Sequence, residues 1–376
     1  MTGFELRVPQ RISFGPGTAS ELRGAVAPYG PRVLVVTGSR PARVRHVVEG
    51  LGPHRTVSVS GEPTVQDVRG AVAAAQDFDA DTVVAIGGGS VIDLAKATAM
   101  LLGNGGDPLD YLEVVGRGLP ITRPSVPLVA LPTTAGTGAE VTANAVLAVP
   151  EEGLKASLRS PFMLPRHAIV DPDLTVDCPQ PVTASAGMDA LTQCLEPYVS
   201  RLANPVTDAW ARTGLMAAGR SLRRAYDDGA DREARTGMAL ASLLGGLALA
   251  NAKLGAVHAL AGIIGGMAAA PHGAACAALL VPVCRANADA APVQVRQRFE
   301  DVGRWLTGDP DADVAAGLGW LDRTRSALAI PGLAAFGLRE PQADDVAGKA
   351  LRASSMRGNP VDLTQQQLAD AFRAAL

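Results

Sequence analysis

The stretch Asp81-Thr82-Val83-Val84-Ala85-Ile86-Gly87-Gly88-Gly89-Ser90-Val91-Ile92-Asp93-Leu94-Ala95-Lys96-Ala97 holds a strand, a turn and the start of a helix. Behind Asp81, residues 82–86 are a largely β-branched, apolar run, which a strand needs when both of its faces are covered. The three glycines let the backbone approach a ligand closely. Ser90, with Asp93 three residues later, has the pattern of a capped helix start. Amides exposed at such a start attract an anion such as a pyrophosphate. The turn lacks the G-x-G-x-x-G spacing of the Rossmann fingerprint, and a tight strand-to-helix connection would use the same residues.

The alternation continues outward. Residues 32–37 form a second β-branched run, followed by Gly38-Ser39 and a helical-looking span from Ala42 to Leu51; Val126 to Leu131 form a third, ending at Pro132. Apolar strands separated by helical spans predict an α/β domain with a parallel sheet. The third run leads into a second polar loop, Leu131-Pro132-Thr133-Thr134-Ala135-Gly136-Thr137-Gly138-Ala139-Glu140. Parallel sheets bind ligands beyond the carboxyl ends of their strands, so two such loops predict a nucleotide crevice. The segment from Phe4 to Phe14 reads as a strand pair outside the main sheet.

After Val170-Asp171-Pro172 the character changes: Cys178-Pro179-Gln180-Pro181 resembles a linker, and helical periodicity dominates from Thr183 onward. The expected domains are residues 1–180, an α/β dinucleotide-binding domain, and 181–376, all-helical. A chain of 376 residues is more than twice the usual single-domain length of roughly 150, in keeping with two domains. The 34 Lys plus Arg against 37 Asp plus Glu include no basic run that would neutralise a phosphate backbone, so nucleic acid is not an expected partner. Cys178, Cys194, Cys276 and Cys284 show no CxxC spacing and read as reduced, mostly buried thiols of a cytoplasmic protein. Glu5, Arg7 and Arg11 interrupt the apolar core a signal peptide would need. The apolar span 238–284 is broken by Asn251, Lys253, Pro271 and two histidines, which predicts buried helices of a helical domain and no membrane partner.

Those two histidines, His258 and His272, lie fourteen residues apart in the apolar half of a chain with only five. The third member of the set is Asp189, placed by its surroundings in the first turns of a mainly apolar helix, where a carboxylate needs a cation or donors to be tolerated. Gln193 follows one turn later on the same face. One Asp and two His offer three ligands to a catalytic divalent metal and leave a position open for substrate.

The motifs GGGSVIDLAKA (87–97), LPTTAGTGAEVT (131–142), IVDPDLT (169–175), AGMDALTQCLEPYVS (186–200), the segment from LLGGLALANAKLGAVHALAG (243–262) through PHGAACAALLVP (271–282), and MRGNPVDLT (356–364) resemble the iron-dependent, or group III, alcohol dehydrogenases in order and spacing. The resemblance implies a nucleotide domain, a helical metal domain and catalysis in the cleft between them. It implies metal ligation by Asp189, His258 and His272, with Fe2+ or Zn2+ as the ion. It also implies a pyrophosphate held by Gly87, Gly88, Gly89 and Ser90, with Asp93, Thr133, Thr134 and Thr137 among the cofactor-binding residues and Asn144 and Lys155 as further contacts. The reaction it implies is hydride transfer between NAD(H) or NADP(H) and a small carbonyl or alcohol substrate, in a homodimer. Two positions depart from the family pattern: Gln193 stands where a ligand histidine is usual and is expected as a weaker fourth metal ligand through its amide oxygen, and Gly262 replaces a histidine near the substrate. Glycerol dehydrogenases of the same family hold zinc with one Asp and two His.

Two related activities share the architecture. Maleylacetate reductases keep histidines that this chain lacks, and dehydroquinate synthases need several cations around a phosphate-bearing substrate where the metal segment here offers Lys253. A non-catalytic relative is the third alternative, raised by Gln193 and Gly262. As for the nicotinamide, the strand 32–37 is followed by Gly38-Ser39-Arg40 and then Arg43. Without an acidic residue to bind the ribose and repel a 2′-phosphate, these residues favour NADPH over NADH.

Overall fold

The computed structural model describes residues 3–376, which divide into two compact units. One comprises Arg7–Thr134 with Gly138–Thr175; the other is Val176–Leu376 with Ala135–Thr137 and residues 3–6.

The first unit contains the strands β1 (Arg11–Phe14), β2 (Val33–Gly38), β3 (His54–Val59), β4 (Thr82–Gly87), β5 (Leu128–Pro132), β6 (Asn144–Val149), β7 (Leu154–Arg159) and β8 (His167–Val170). Six of them form one all-parallel sheet in the order β1-β8-β5-β4-β2-β3. In its centre Val35 lies beside Val84, and Val84 beside Val129. Alternation along the strands explains the continuous apolar runs. Leu34, Val36, Val83 and Ala85 face one buried cluster, and Val33, Val35, Val84 and Ile86 face another on the opposite side.

Two local expectations are corrected, and one element is new. Phe4–Phe14 does not form a separate strand pair: only Arg11–Phe14 is extended into a strand, and it is the edge of the main sheet, parallel to β8. Pro9, just before it, has no backbone donor to offer a ladder. The helix expected over 42–51 is reduced to a 3-10 turn, Pro41–Val44, and one α turn, Arg45–Val48. Strands β6 and β7 form an antiparallel hairpin outside the sheet, which the sequence pattern did not reveal.

The hairpin is tied to the helix Gly89–Asn104 by buried polar groups. Asp93 accepts the Val146 N–H at 3.0 Å, and the fully buried Lys96 donates to Thr142 Oγ1 and to the Asn144 carbonyl, both at 2.9 Å. Burial pushes Glu140 up to about 7 and Asp93 up to about 6, while it lowers Lys96 to about 8.

The second unit is helical and closes around one large apolar cluster. Its site-bearing helices are Gln180–Val199, Arg232–Ala252, Ala256–Met267 and His272–Ala290. Among the described residues no single helix is long and apolar enough to cross a membrane. The apolar pair Arg232–Ala252 and Ala256–Met267 bends by 100° between its members, and both contribute side chains to the core.

Glu140 provides a test of the buried cluster. Its folded carboxyl keeps a proton that the unfolded chain releases near pH 4.5, so the associated stability is present below that pH and lost as pH rises through about 7. Glu140→Gln should therefore gain on the parent as pH rises, with a melting-temperature difference roughly a few degrees more favourable at pH 8 than at pH 5. A pH-independent difference in thermal denaturation would contradict this account.

Candidate functional site

Asp189 is the tenth residue of the helix Gln180–Val199, in its middle and not in its first turns as the sequence suggested. Its side chain is 3% exposed. His258 lies in the first turn of Ala256–Met267, and His272 opens the helix His272–Ala290 directly after Pro271. The fold brings the three together: His258 Nε2 is 3.4 Å and His272 Nε2 3.9 Å from Asp189 Oδ1. Gly273 permits the approach, because a Cβ there would stand 2.1 Å from the Ser185 carbonyl oxygen and 3.1 Å from Asp189 Cβ. Cys276, one helical turn beyond His272, joins the cluster with its Sγ 3.6 Å from His272 Nε2. One ligand atom from each of these four residues lies within 4.8 Å of the others.

Neighbouring groups orient the set. Glu196, two turns beyond Asp189, places Oε2 2.5 Å from His258 Nδ1 and accepts the Val257 N–H through Oε1 at 2.8 Å. A carboxylate on Nδ1 directs the other ring nitrogen toward the cluster, the arrangement that supports a metal-binding imidazole. The Gln193 amide nitrogen donates to Asp189 Oδ2 at 2.9 Å and leaves Oδ1 free. Asn359 accepts the Ala256 N–H at 3.1 Å and exchanges amide hydrogen bonds with Asn287 at 2.7 and 3.2 Å. The MRGNP segment thereby fixes the start of the His258 helix.

Asp189 Oδ1, His258 Nε2 and Gln193 Oε1 are buried without a hydrogen-bond partner. Leaving one such atom unsatisfied costs about 1–3 kcal/mol, and more if it is charged, so two of them facing each other at 3.4 Å call for a cation. The donor set is oxygen, imidazole nitrogen and thiol, all suited to a divalent transition metal. Without a metal, the cluster binds protons instead. The Cys276 charge is the main cause of a rise of His272 to about 9. His258 is raised well above the usual imidazole range despite burial, through Cys276 and Glu196. Asp189 and Cys276 are both lowered despite burial, chiefly by the histidines.

In the first unit the chain leaves β2 toward β3 on one side and β4 toward β5 on the other, so the strand order reverses between β2 and β4. Ligands of open parallel sheets bind at such a switch point. Gly38 ends β2 and Ser39 follows it; beside them Gly87 ends β4, and Gly88, Gly89 and Ser90 follow. Gly87 is required there because a Cβ would come within 2.4 Å of the Val91 side chain. Thr133 donates its N–H to the Gly87 carbonyl at 3.0 Å, and Thr134 Oγ1 lies against Gly88.

Other expected contacts are placed differently. The helix begins at Gly89 with Gly88 as its cap, so the Ser90–Asp93 capping pattern does not form, and Asp93 binds the hairpin instead. Asn144 gives its carbonyl to Lys96, and Lys155 pairs with Glu62 at 3.0 Å. Thr137 groups with the helical unit.

The family models for iron-containing alcohol dehydrogenase and for its C-terminal part match residues 9–172 and 183–376. The chain belongs to the iron-containing alcohol dehydrogenase family. It is 35% identical to a 1,3-propanediol dehydrogenase of Klebsiella pneumoniae over 99% of this chain and 98% of that protein. A 1,3-propanediol oxidoreductase structure superposes with a TM-score of 0.91 at 33% identity, covering 100% of both chains. A sulfoacetaldehyde reductase of Bifidobacterium kashiwanohense, in complex with NAD+, superposes with a TM-score of 0.89 at 28% identity, covering 100% of this chain and 99% of that one. As an iron-containing alcohol dehydrogenase, the protein is a metal-dependent, nicotinamide-linked oxidoreductase acting on alcohol and aldehyde groups.

Sequence reasoning missed Glu196, Asn359 and Cys276 in this iron-containing alcohol dehydrogenase. Glu196 and Cys276 carried a signal in their spacing: Glu196 is seven residues from Asp189, and Cys276 four from His272, both on shared helix faces. Asn359 lay within the MRGNPVDLT motif, but its distance in sequence left nothing to tie it to the His258 helix. If Glu196 orients His258, Glu196→Gln should weaken metal affinity by ~10–100-fold while the helical circular dichroism is retained. Unchanged affinity in a metal titration would remove that role.

Proposed function

We propose that the protein interconverts a short-chain aldehyde or ketone and its alcohol, with Asp189, His258 and His272 holding the divalent metal. The observation that carries this reading is the pair of buried, unpartnered atoms Asp189 Oδ1 and His258 Nε2, 3.4 Å apart. A bound divalent ion is a Lewis acid that stabilises negative charge on a substrate oxygen as hydride arrives at carbon. Glu196 keeps His258 in the required tautomer, and Gln193 holds the Asp189 carboxylate by its Oδ2. Gly262 is exposed, with open space where a side chain would stand, so no imidazole relays a proton there and water fills that role. The activities of the relatives, on 1,3-propanediol and sulfoacetaldehyde, support a short substrate.

In this reading the glycine turn Gly87–Ser90 receives the pyrophosphate, and Gly38-Ser39-Arg40 with Arg43 receives the adenosine 2′-phosphate. The small residues leave room, Ser39 donates a hydroxyl, and a charge-assisted arginine contact contributes on the order of 1.5–3 kcal/mol. NADPH is therefore the proposed preference. A homodimer is proposed from the exposed apolar residues Phe4, Leu6 and Val8, which a second copy would cover. The unbridged cysteines fit a reducing compartment, and the proposed location is the cytoplasm.

Two experiments test the reading. Removal of metal by chelation should abolish carbonyl reduction, and His272→Ala should do the same with the helical signal intact; a metal-free preparation of full activity would sink the Lewis-acid role. Ser39→Asp should raise the Michaelis constant for NADPH by about tenfold or more and leave that for NADH nearly unchanged. Equal or better use of NADH by the parent would refute the 2′-phosphate argument.

A further inference from the structure

We propose that Cys276 is a fourth protein ligand of the metal, and that its thiolate makes zinc, not ferrous iron, the preferred ion. The inference rests on the reading of Asp189, His258 and His272 as a metal site.

Cys276 and His272 are four residues apart on one helix and present their side chains on the same face. The cysteine is fully buried, and its Sγ faces His272 Nε2 at 3.6 Å. Ligands of a tetrahedral ion with bonds of about 2.0–2.3 Å stand roughly 3.3–3.6 Å apart. The Cys276–His272 edge of 3.6 Å and the His258–Asp189 edge of 3.4 Å both have that spacing. The His272–Asp189 edge, at 3.9 Å, is wider. His272 is also the most exposed of these side chains, at 37%, so the open side where a substrate oxygen can enter lies there.

The thiol is not an accident of a cysteine-rich core. Cys194, also buried, donates to the Ala241 carbonyl at 3.5 Å, as an ordinary core thiol does. Asp189 and His258, each more than nine-tenths buried, direct unpartnered atoms into the same cluster. Gln193 is the competitor for the fourth position. Its nitrogen already binds Asp189 Oδ2, and its oxygen is a neutral, weak donor compared with a thiolate. One sulfur, two imidazoles and one carboxylate form a set that zinc accepts, and a soft thiolate raises the preference for it over ferrous iron.

The test uses the full-length protein, stripped of metal under anaerobic, reducing conditions and titrated with Co2+, Zn2+ or Fe2+ alone. With one equivalent of Co2+ the parent should develop an intense near-ultraviolet thiolate-to-cobalt charge-transfer band, which Cys276→Ser loses and Gln193→Ala keeps. The ratio of zinc to ferrous affinity should fall by about tenfold or more in Cys276→Ser. Stoichiometric cobalt binding without the band, or a band that survives Cys276→Ser, would overturn the thiolate ligand and leave the three-residue metal site standing. Absence of any stoichiometric metal binding would overturn both.

Discussion

A carboxylate oxygen and an imidazole nitrogen, both buried and both without a partner, face each other across 3.4 Å within the helical unit. Two such lone pairs in a dry interior are unfavourable unless a cation lies between them or protons are taken up. Much of the surrounding architecture holds this arrangement. Gly273 lets the His272 helix lie against the Asp189 helix, Glu196 fixes the far side of the His258 ring, and Asn359 caps the His258 helix from almost the other end of the chain. Each contact is modest in free energy, yet together they position ligand atoms from three helices.

The nucleotide unit solves a simpler problem. A parallel sheet covered on both faces places its loops at one edge, and the reversal of strand order between β2 and β4 opens a crevice there. The glycine turn lies at that reversal because a side chain at Gly87 would collide with Val91. Behind the turn, Asp93, Lys96 and Glu140 form a buried polar cluster that joins the helix to the hairpin. Asp93 therefore serves the scaffold, not the cap that its spacing from Ser90 suggested.

Much of this was legible beforehand. The runs 32–37, 81–86 and 126–131 became β2, β4 and β5 with ends shifted by one or two residues. Such runs are readable because complete burial demands apolar residues at every position. The edges were harder. Strand β3 is partly exposed and carries His, Arg, Thr and Ser, so nothing in its pattern distinguishes it from loop; β1 lay inside the strand pair expected over Phe4–Phe14, of which the exposed alternation of Phe4, Leu6 and Val8 imitated a strand that does not form.

The site divides along the same line. Asp189, His258 and His272 could be chosen from sequence because charged or titratable residues in apolar helices demand compensation wherever they finally sit. Residue type and local spacing are enough for that. Sequence by itself determined the parallel sheet, the glycine turn and three of the side chains that meet in the buried cluster, because each follows from burial or from local periodicity. Only the tertiary structure decided which carboxylate supports His258, that Gln193 turns its amide nitrogen onto Asp189, and that Cys276 completes the cluster. Those facts depend on how helices cross, and a crossing is set by contacts between residues as distant as Ala256 and Asn359, which local pattern does not encode.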